Sequence, residues 1–272
     1  MTEPITAQHS SFNPKVSFAG VEKVYPSNNQ KSAGTKALEA LDLNLAAGEI
    51  VSIVGPTGCG KSTALNILAG FEDATQGQVK VDGRIIHGPG NNRGVVFQQA
   101  ALFPWMTVYD NVVLGLKCQG KHEHTYQRAA LDLLKEVGLI GFDRHYPYQL
   151  SGGMQQRVQI ARALINEPDI LLMDEPFGAL DYQTRLLMQK LLHRLWAHYR
   201  PTILFITHDV GEAVFISDRV LAMTRRPGRV KLSIEVLAPK PRDYEFIGSA
   251  EFVRIERQLV QAVQSEVDFQ DA

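Results

Sequence analysis

The sequence is short of three things, and each shortage excludes a class of protein. Cysteine occurs only twice, as Cys59 and Cys118, too few for a disulfide framework and in keeping with a reducing cytoplasm. No run approaches the roughly 18 consecutive apolar residues that span a bilayer. The longest apolar runs, such as 170–173 and 203–206, are the size of buried strands. Residues 1–15 are polar and lack the apolar stretch of a signal peptide. Any work at a membrane is therefore expected to be done from its side, through a partner. Excess charge of one sign is also missing: 28 Lys and Arg stand against 29 Asp and Glu, a net charge of −1. Such a chain has no strong field to hold nucleic acid or an anionic bilayer, and no nucleic-acid partner is expected. Internal repeats and low-complexity tracts are absent as well. What remains is ordinary globular composition, 44% hydrophobic and 21% charged over 272 residues. That suffices for one large α/β domain plus an appendage, with a core that needs no staples.

Apolar patterning divides the chain. Residues 1–14 read as a flexible tail, rich in Ser, Thr, Gln and Pro. Strand-like alternation follows at 16–18 and 21–25, a polar loop at 27–36, and strands at 41–45 and 50–54 around a turn at Ala47-Gly48. Helical periodicity dominates the middle, at 108–116 and 126–137, and strands resume at 170–173, 203–206 and 220–223. Strands alternating with helices predict an α/β fold with a mostly parallel sheet, interrupted by a helical insertion. The expected division is a core of 15–97 and 168–224 with an N-terminal β part, a helical subdomain at 98–167, and a C-terminal extension at 225–272. In that extension an Arg-Pro-Gly turn leads to one more strand and a helix at 249–264.

Gly55-Pro56-Thr57-Gly58-Cys59-Gly60-Lys61-Ser62 matches GxxxxGK[ST] at every fixed position, with Thr63 following. Its glycines allow successive backbone N–H groups to face inward and cradle phosphate oxygens. Lys61 is expected on the β- and γ-phosphates and the Ser62 hydroxyl on Mg²⁺. The loop also opens a helix, whose N-terminus favours an anion. Since Cys59 lies inside the loop, its alkylation is expected to block ATP binding. The loop alone specifies only a nucleoside triphosphate, because kinases, GTPases and motors share it.

Apolar residues 170–173 run into Asp174-Glu175-Pro176. An acid at the end of a buried strand beside a phosphate loop suits Mg²⁺, the role expected of Asp174. Glu175, projecting differently, suits a general base for water. By itself the pair would read equally as a solvated strand end stopped by Pro176.

Leu150-Ser151-Gly152-Gly153-Met154-Gln155-Gln156-Arg157 narrows the choice. Ser151 with Gly152 and Gly153 at a helix start is a second phosphate-binding device. Here the chain resembles the ATP-binding-cassette (ABC) family, whose mark is an LSGGQ-type segment; Met154 departs from the commoner glutamine. The resemblance covers residues 16 to about 223. It implies the P-loop NTPase, RecA-like ABC ATPase fold, ATP and Mg²⁺ as cofactors, and a homodimer holding two ATPs between one copy's phosphate loop and the other's signature segment. It further implies Tyr25 stacking on adenine, Gln98 on Mg²⁺ and water, Asp181 in a loop that signals across the dimer, and His208 on the γ-phosphate. Gln99 directly follows Gln98, so that assignment rests on the preceding Val95-Val96-Phe97.

Residues 88–112, with Phe103-Pro104-Trp105, together with Pro176 to Asp181 and the Arg226-Pro227-Gly228-Arg229 turn, resemble the nitrate/sulfonate/taurine importer group. That group implies transmembrane permease subunits docked near Phe103-Pro104-Trp105, a periplasmic or extracellular solute-binding protein, and a place on the cytoplasmic face of the inner membrane. Taurine or an alkanesulfonate is the expected solute. A lipid or drug exporter stays open as an alternative. A soluble cassette acting on DNA or ribosomes would bring two cassettes or a long coiled coil, and neither is present. A small-molecule kinase would not carry the signature segment.

Overall fold

Two sheets frame the molecule, and the computed structural model describes them for residues 13–26 and 34–266. The tail expected at 1–14 and the loop expected at 27–36 fall mostly outside the described residues. Strand β1 (Val16–Tyr25) and β2 (Thr35–Leu45) pair antiparallel, and the two strand fragments expected before Tyr25 are one strand with bulges. Thr35 and Lys36, read as loop, begin β2. Strand β3 (Ile50–Val54) enters the phosphate loop and helix α1 (Lys61–Ala69) leaves it. Strands β4 (Gln76–Val81) and β5 (Arg84–Ile85) complete a four-stranded sheet in the order β2-β1-β4-β5.

After β6 (Arg93–Val96) the chain turns helical, with α2 (Val108–Cys118), α3 (Glu123–Glu136) and α4 (Gly152–Leu164). The remaining elements are β7 (Ile170–Asp174), α5 (Tyr182–Tyr199), β8 (Thr202–Ile206), α6 (Val210–Ile216), β9 (Arg219–Met223), β10 (Val230–Glu235), α7 (Tyr244–Ile247) and α8 (Ala250–Gln264). The second sheet runs β10-β9-β3-β8-β7-β6. Five of its strands are parallel, and β10 lies antiparallel on the β9 edge.

The sequence explains these differences in burial. Strands β3 and β8 are buried along their whole length, as strands covered on both faces must be. Their alternate residues separate into two cores: Ile203 and Phe205 face the helical side, while Leu204 and Ile206 face α1 and the antiparallel sheet. Edge strand β10 instead alternates half-buried with exposed positions. Helix α8 buries Phe252, Ile255 and Leu259, spaced along one face.

This topology places four loops together. The segments after β3, β8, β7 and β6 leave the carboxyl ends of neighbouring parallel strands, where open α/β sheets bind ligands. They carry the phosphate loop, His208, Glu175 and Gln98, respectively. Among the described residues no helix is long and apolar enough to cross a membrane.

Candidate functional site

The phosphate loop is closed by its own lysine. Lys61 is 6% exposed, and its ammonium donates to Gly55 O at 2.9 Å and Pro56 O at 3.0 Å. Pro56 O also accepts from Cys59 N. Gly60 starts α1 at φ 103°, and a Cβ there would lie 2.6 Å from Leu38 Cδ2, so the tight seat on β2 requires glycine. Thr57, Gly58, Gly60, Lys61, Ser62 and Thr63 line a cleft of about 270 Å³ with Tyr25, Glu175 and Arg226.

Cys59 sits differently from its neighbours. Its side chain is 1% exposed and packs under the loop in the apolar core, and burial pushes the thiol up from its usual range. It is the poorer nucleophile of the two cysteines, because Cys118 is exposed. The alkylation expected to block ATP binding therefore meets a shielded thiol.

From the cleft lining, Ser62 Oγ donates to Asp174 Oδ1 at 3.2 Å. Burial raises the Asp174 carboxyl above its ordinary value; neighbouring Glu175 adds to this, while the Ser62 hydroxyl and Lys61 ammonium oppose it. A carboxylate and a hydroxyl, both hard oxygen donors, fit Mg²⁺, which characteristically takes one or two protein ligands and fills its shell from phosphate and water. A buried carboxylate held above its usual value is a group that a nearby cation would relieve.

Glu175 is the meeting point. Its Oε2 accepts from Gln98 Nε2 at 3.3 Å and lies 3.2 Å from His208 Nδ1. Its backbone has φ +45°, outside the usual range for a side chain other than glycine, and is held there as Glu175 N donates to Ile206 O and Gly178 N donates to Glu175 O. Non-glycine residues in this conformation concentrate at functional sites, where surrounding structure enforces them. Of the two adjacent glutamines, it is Gln98 whose amide reaches the carboxylate.

Tyr25 borders the cleft with its hydroxyl committed. It donates to Glu72 Oε2 at 2.6 Å and lies 3.3 Å from Thr63 Oγ1, while Lys23 sits 5.1 Å from the ring centroid. Burial, reinforced by Glu72, raises the phenol's pKa.

Other expected residues are not brought to this cleft within one chain. Ser151 caps α4, its Oγ accepting from Met154 N at 3.3 Å, with Gly152 beside it on the exposed end. Gly153 packs against the first turn of α5, where a Cβ would lie 2.8 Å from Thr184 Cγ2. Asp181 caps α5 by accepting from Thr184 N at 3.0 Å. None of the four lines the cleft.

The structure also adds residues that the motifs left out. Arg185 donates to Asp209 Oδ2 at 3.0 Å and to Leu180 O at 3.2 Å, tying the loop before α5 to the residue after His208. Behind that loop, Thr207 Oγ1 donates to Glu212 at 2.6 Å and Gln189 Nε2 donates to it at 3.1 Å. Glu212 is almost fully buried, which raises its carboxyl above the ordinary value. Arg226 stands at the cleft with its Nε 3.2 Å from Gly58 O. Sequence spacing carries no sign of the pairs Arg185–Asp209, Gln189–Glu212 and Arg226–Gly58, since each joins elements that meet only in the fold.

A phosphate loop at the end of a parallel strand, with an acid pair on a neighbouring strand, defines a P-loop nucleoside triphosphatase. The chain belongs to the ABC transporter family, whose model matches residues 38–178, and it is an ATP-binding cassette that hydrolyses ATP. It is 44% identical over 253 residues to an uncharacterized ABC transporter ATP-binding protein of Methanocaldococcus jannaschii, covering 93% of this chain and 92% of that one. A taurine import ATP-binding protein of Rhizobium johnstonii is 51% identical over 194 residues, 71% of this chain and 74% of that one. A nitrate import ATP-binding protein of Synechocystis is 45% identical over 230 residues, covering 82% and 86%. Among solved structures, the dimeric form of a bacterial ABC transporter cassette superposes with a TM-score of 0.72 at 34% identity, covering 82% of this chain and all of that one. A post-hydrolysis dimer of an ATP-binding cassette bound to ADP and Pi gives a TM-score of 0.71 at 35% identity, with the same coverage.

Proposed function

We propose that this chain is the ATPase subunit of an importer for a small anionic solute, taurine or an alkanesulfonate or a nitrate-like ion, working through a separate membrane permease. One observation carries the catalytic part: Gln98 and His208, from two different strand ends, converge on a single oxygen of Glu175 at the edge of the phosphate-loop cleft.

In this reading Glu175 accepts a proton from the attacking water, while Gln98 and His208 orient the carboxylate and the water. Lys61 exchanges the carbonyls of Gly55 and Pro56 for phosphate oxygens, and Tyr25 offers its ring to adenine. Ser62, Asp174 and Gln98 are the residues that would hold Mg²⁺, which when bound supplies positive charge against the β- and γ-phosphate oxygens. Ser151, Gly152 and Gly153 lie away from this chain's own cleft, so a second copy supplies them. The active unit is thus a homodimer with ATP between the phosphate loop of one copy and the signature segment of the other, and Asp181 at the junction. The dimeric state of a cassette 34% identical over its full length supports this assembly.

The permease is proposed to dock at Phe103-Pro104-Trp105. Trp105 is 70% exposed with its ring 5.5 Å from that of Phe103, and the buried Asn111 amide pins this loop by donating to Phe103 O, Met106 O and Thr107 O. An exposed tryptophan on a braced loop suits a partner's apolar surface. A solute-binding protein then delivers the solute outside, and the ATPase works at the cytoplasmic face. The names of relatives at 45–51% identity support an importer and this solute class. The test is transport by proteoliposomes containing this chain with its membrane subunits, with MgATP on the ATPase side and labelled taurine with the solute-binding protein on the other. ATP-dependent accumulation on the ATPase side is expected; movement in the opposite direction would sink the importer reading.

A further inference from the structure

The turn Arg225-Arg226-Pro227-Gly228-Arg229 joins β9 to β10 and takes no part in the chemistry above, yet it is seated on the phosphate loop. Gly228 N donates to Ala37 O at 2.9 Å, and Glu39 N donates to Gly228 O at 3.1 Å. A Cβ at Gly228 would lie 2.0 Å from Cys59 O, so this contact admits glycine alone. Thr224 Oγ1 closes the turn, donating to Pro227 O at 3.1 Å and accepting from Arg229 N at 3.0 Å. Both flanks are anchored. Arg229 pairs with Glu39 of β2, and Glu266, just past α8, accepts from Arg225 N at 3.0 Å and pairs with Lys231.

A turn held this firmly delivers one side chain to a defined place. Arg226 Nε donates to Gly58 O at 3.2 Å, and its Nη2 would lie 3.0 Å from a Cβ at Gly58, directly over the loop. The side chain is exposed and lines the same cleft as Tyr25, Thr57, Lys61, Ser62 and Thr63. Among the described residues Lys61 and Arg226 are the two cations in that lining, and Lys61 is buried where Arg226 is open. A guanidinium keeps its charge at any working pH and offers a planar fork that matches phosphate oxygens, while Nε anchors it to the loop.

We propose that Arg226 is a nucleotide-binding residue whose guanidinium contacts the phosphate chain of ATP from the rim of the cleft. This rests on reading the cleft as the ATP site, and it deepens that reading by adding a residue from outside the matched family segment, residues 38–178. It also gives the C-terminal extension a share in the site, because Glu266 at the end of α8 holds the turn that presents Arg226.

The experiment is calorimetric binding of MgATP, MgADP and adenosine to full-length wild type, Arg226→Ala, Arg226→Lys and Lys61→Ala. Removing one charge-assisted phosphate contact predicts roughly 10-fold weaker ATP and ADP binding for Arg226→Ala, with adenosine unchanged and the nucleotide-free melting temperature preserved. Arg226→Lys recovers part of the loss. ATP affinity of Arg226→Ala within twofold of wild type overturns the proposal. Equal losses for ATP and adenosine overturn it too, because the contact is then not with phosphate. The reading of the cleft fails separately: wild type and Lys61→Ala would bind MgATP equally poorly or equally well.

Discussion

Replacing Arg242 by methionine removes the cation that closes the end of α6, the helix that follows His208. Arg242 is 4% exposed. Its Nη1 donates to Val214 O at 2.9 Å, Phe215 O at 2.9 Å and Ser217 O at 2.8 Å, and its Nη2 donates to Val236 O at 3.1 Å and Ala238 O at 2.9 Å. A helix leaves its last four carbonyls without intrahelical partners. For α6 those of Val214 and Phe215 go to Arg242, that of Ala213 to Ser217 N and that of Ile216 to His193 Nε2. Methionine fills much of the volume and satisfies none of the carbonyls. Each buried carbonyl left unpaired costs about 1–3 kcal/mol, and entering water offsets part of that. A net loss of about 4 kcal/mol follows, which for a chain of this size lowers the melting temperature by roughly 10 °C. Arg242→Lys keeps the charge but has three donors for five acceptors, so it falls between the two. Thermal unfolding followed by circular dichroism, with ATPase activity at 20 °C, reads both effects. A loss under 1 kcal/mol for Arg242→Met would refute the assignment of α6's end to this one side chain.

Three further outcomes are expected. His193 is fully buried and neutral, with Nδ1 accepting from Arg242 N, and burial lowers its pKa to about 4. A depressed folded pKa means that its contribution is complete above the unfolded value near 6.5 and is lost as pH falls towards 4, at a cost of about 3 kcal/mol. His193→Gln should flatten urea midpoints over that window, and an unchanged slope would contradict the assignment. Arg185→Ala cuts the link between Leu180 and Asp209, so kcat should fall about 10-fold or more with KM for ATP nearly unchanged, and Arg185→Lys should recover part. An effect confined to KM would reject the link. Peptide mapping after iodoacetamide should find Cys118 modified and Cys59 protected in the folded protein, with ATP binding retained; rapid labelling of Cys59 would contradict its placement.

How much the sequence disclosed depended on how local each feature is. The phosphate loop and Ser151-Gly152-Gly153 are legible because their chemistry is contained in eight consecutive residues each, with a strand or helix on a known side. The parallel sheet was legible for the same reason, since 170–173 and 203–206 are apolar without interruption. Gln76–Val81 escaped notice because its buried residues are only Val79 and Val81, set among polar ones. The burial of Cys59 is not legible in the motif: membership in the loop does not say which way a side chain turns, and this one turns into the core. Arg226 and Arg242 were unreadable as partners because their contacts, Gly58 and Val214, lie 168 and 28 residues away. Met154 at the fifth signature position occupies an inward-packed site and contacts the core, so its side chain serves the helical region rather than the exposed Ser151 end.

The central claim is that Glu175 performs the hydrolytic step in a sandwich of two copies. It is tested most directly by sizing purified Glu175→Gln protein by light scattering, with and without MgATP. Slowed hydrolysis should trap a dimer that forms only with MgATP, and adding Ser151→Arg should return it to monomer. Glu175→Gln that hydrolyses ATP at the wild-type rate, or a MgATP dimer untouched by Ser151→Arg, would contradict the account.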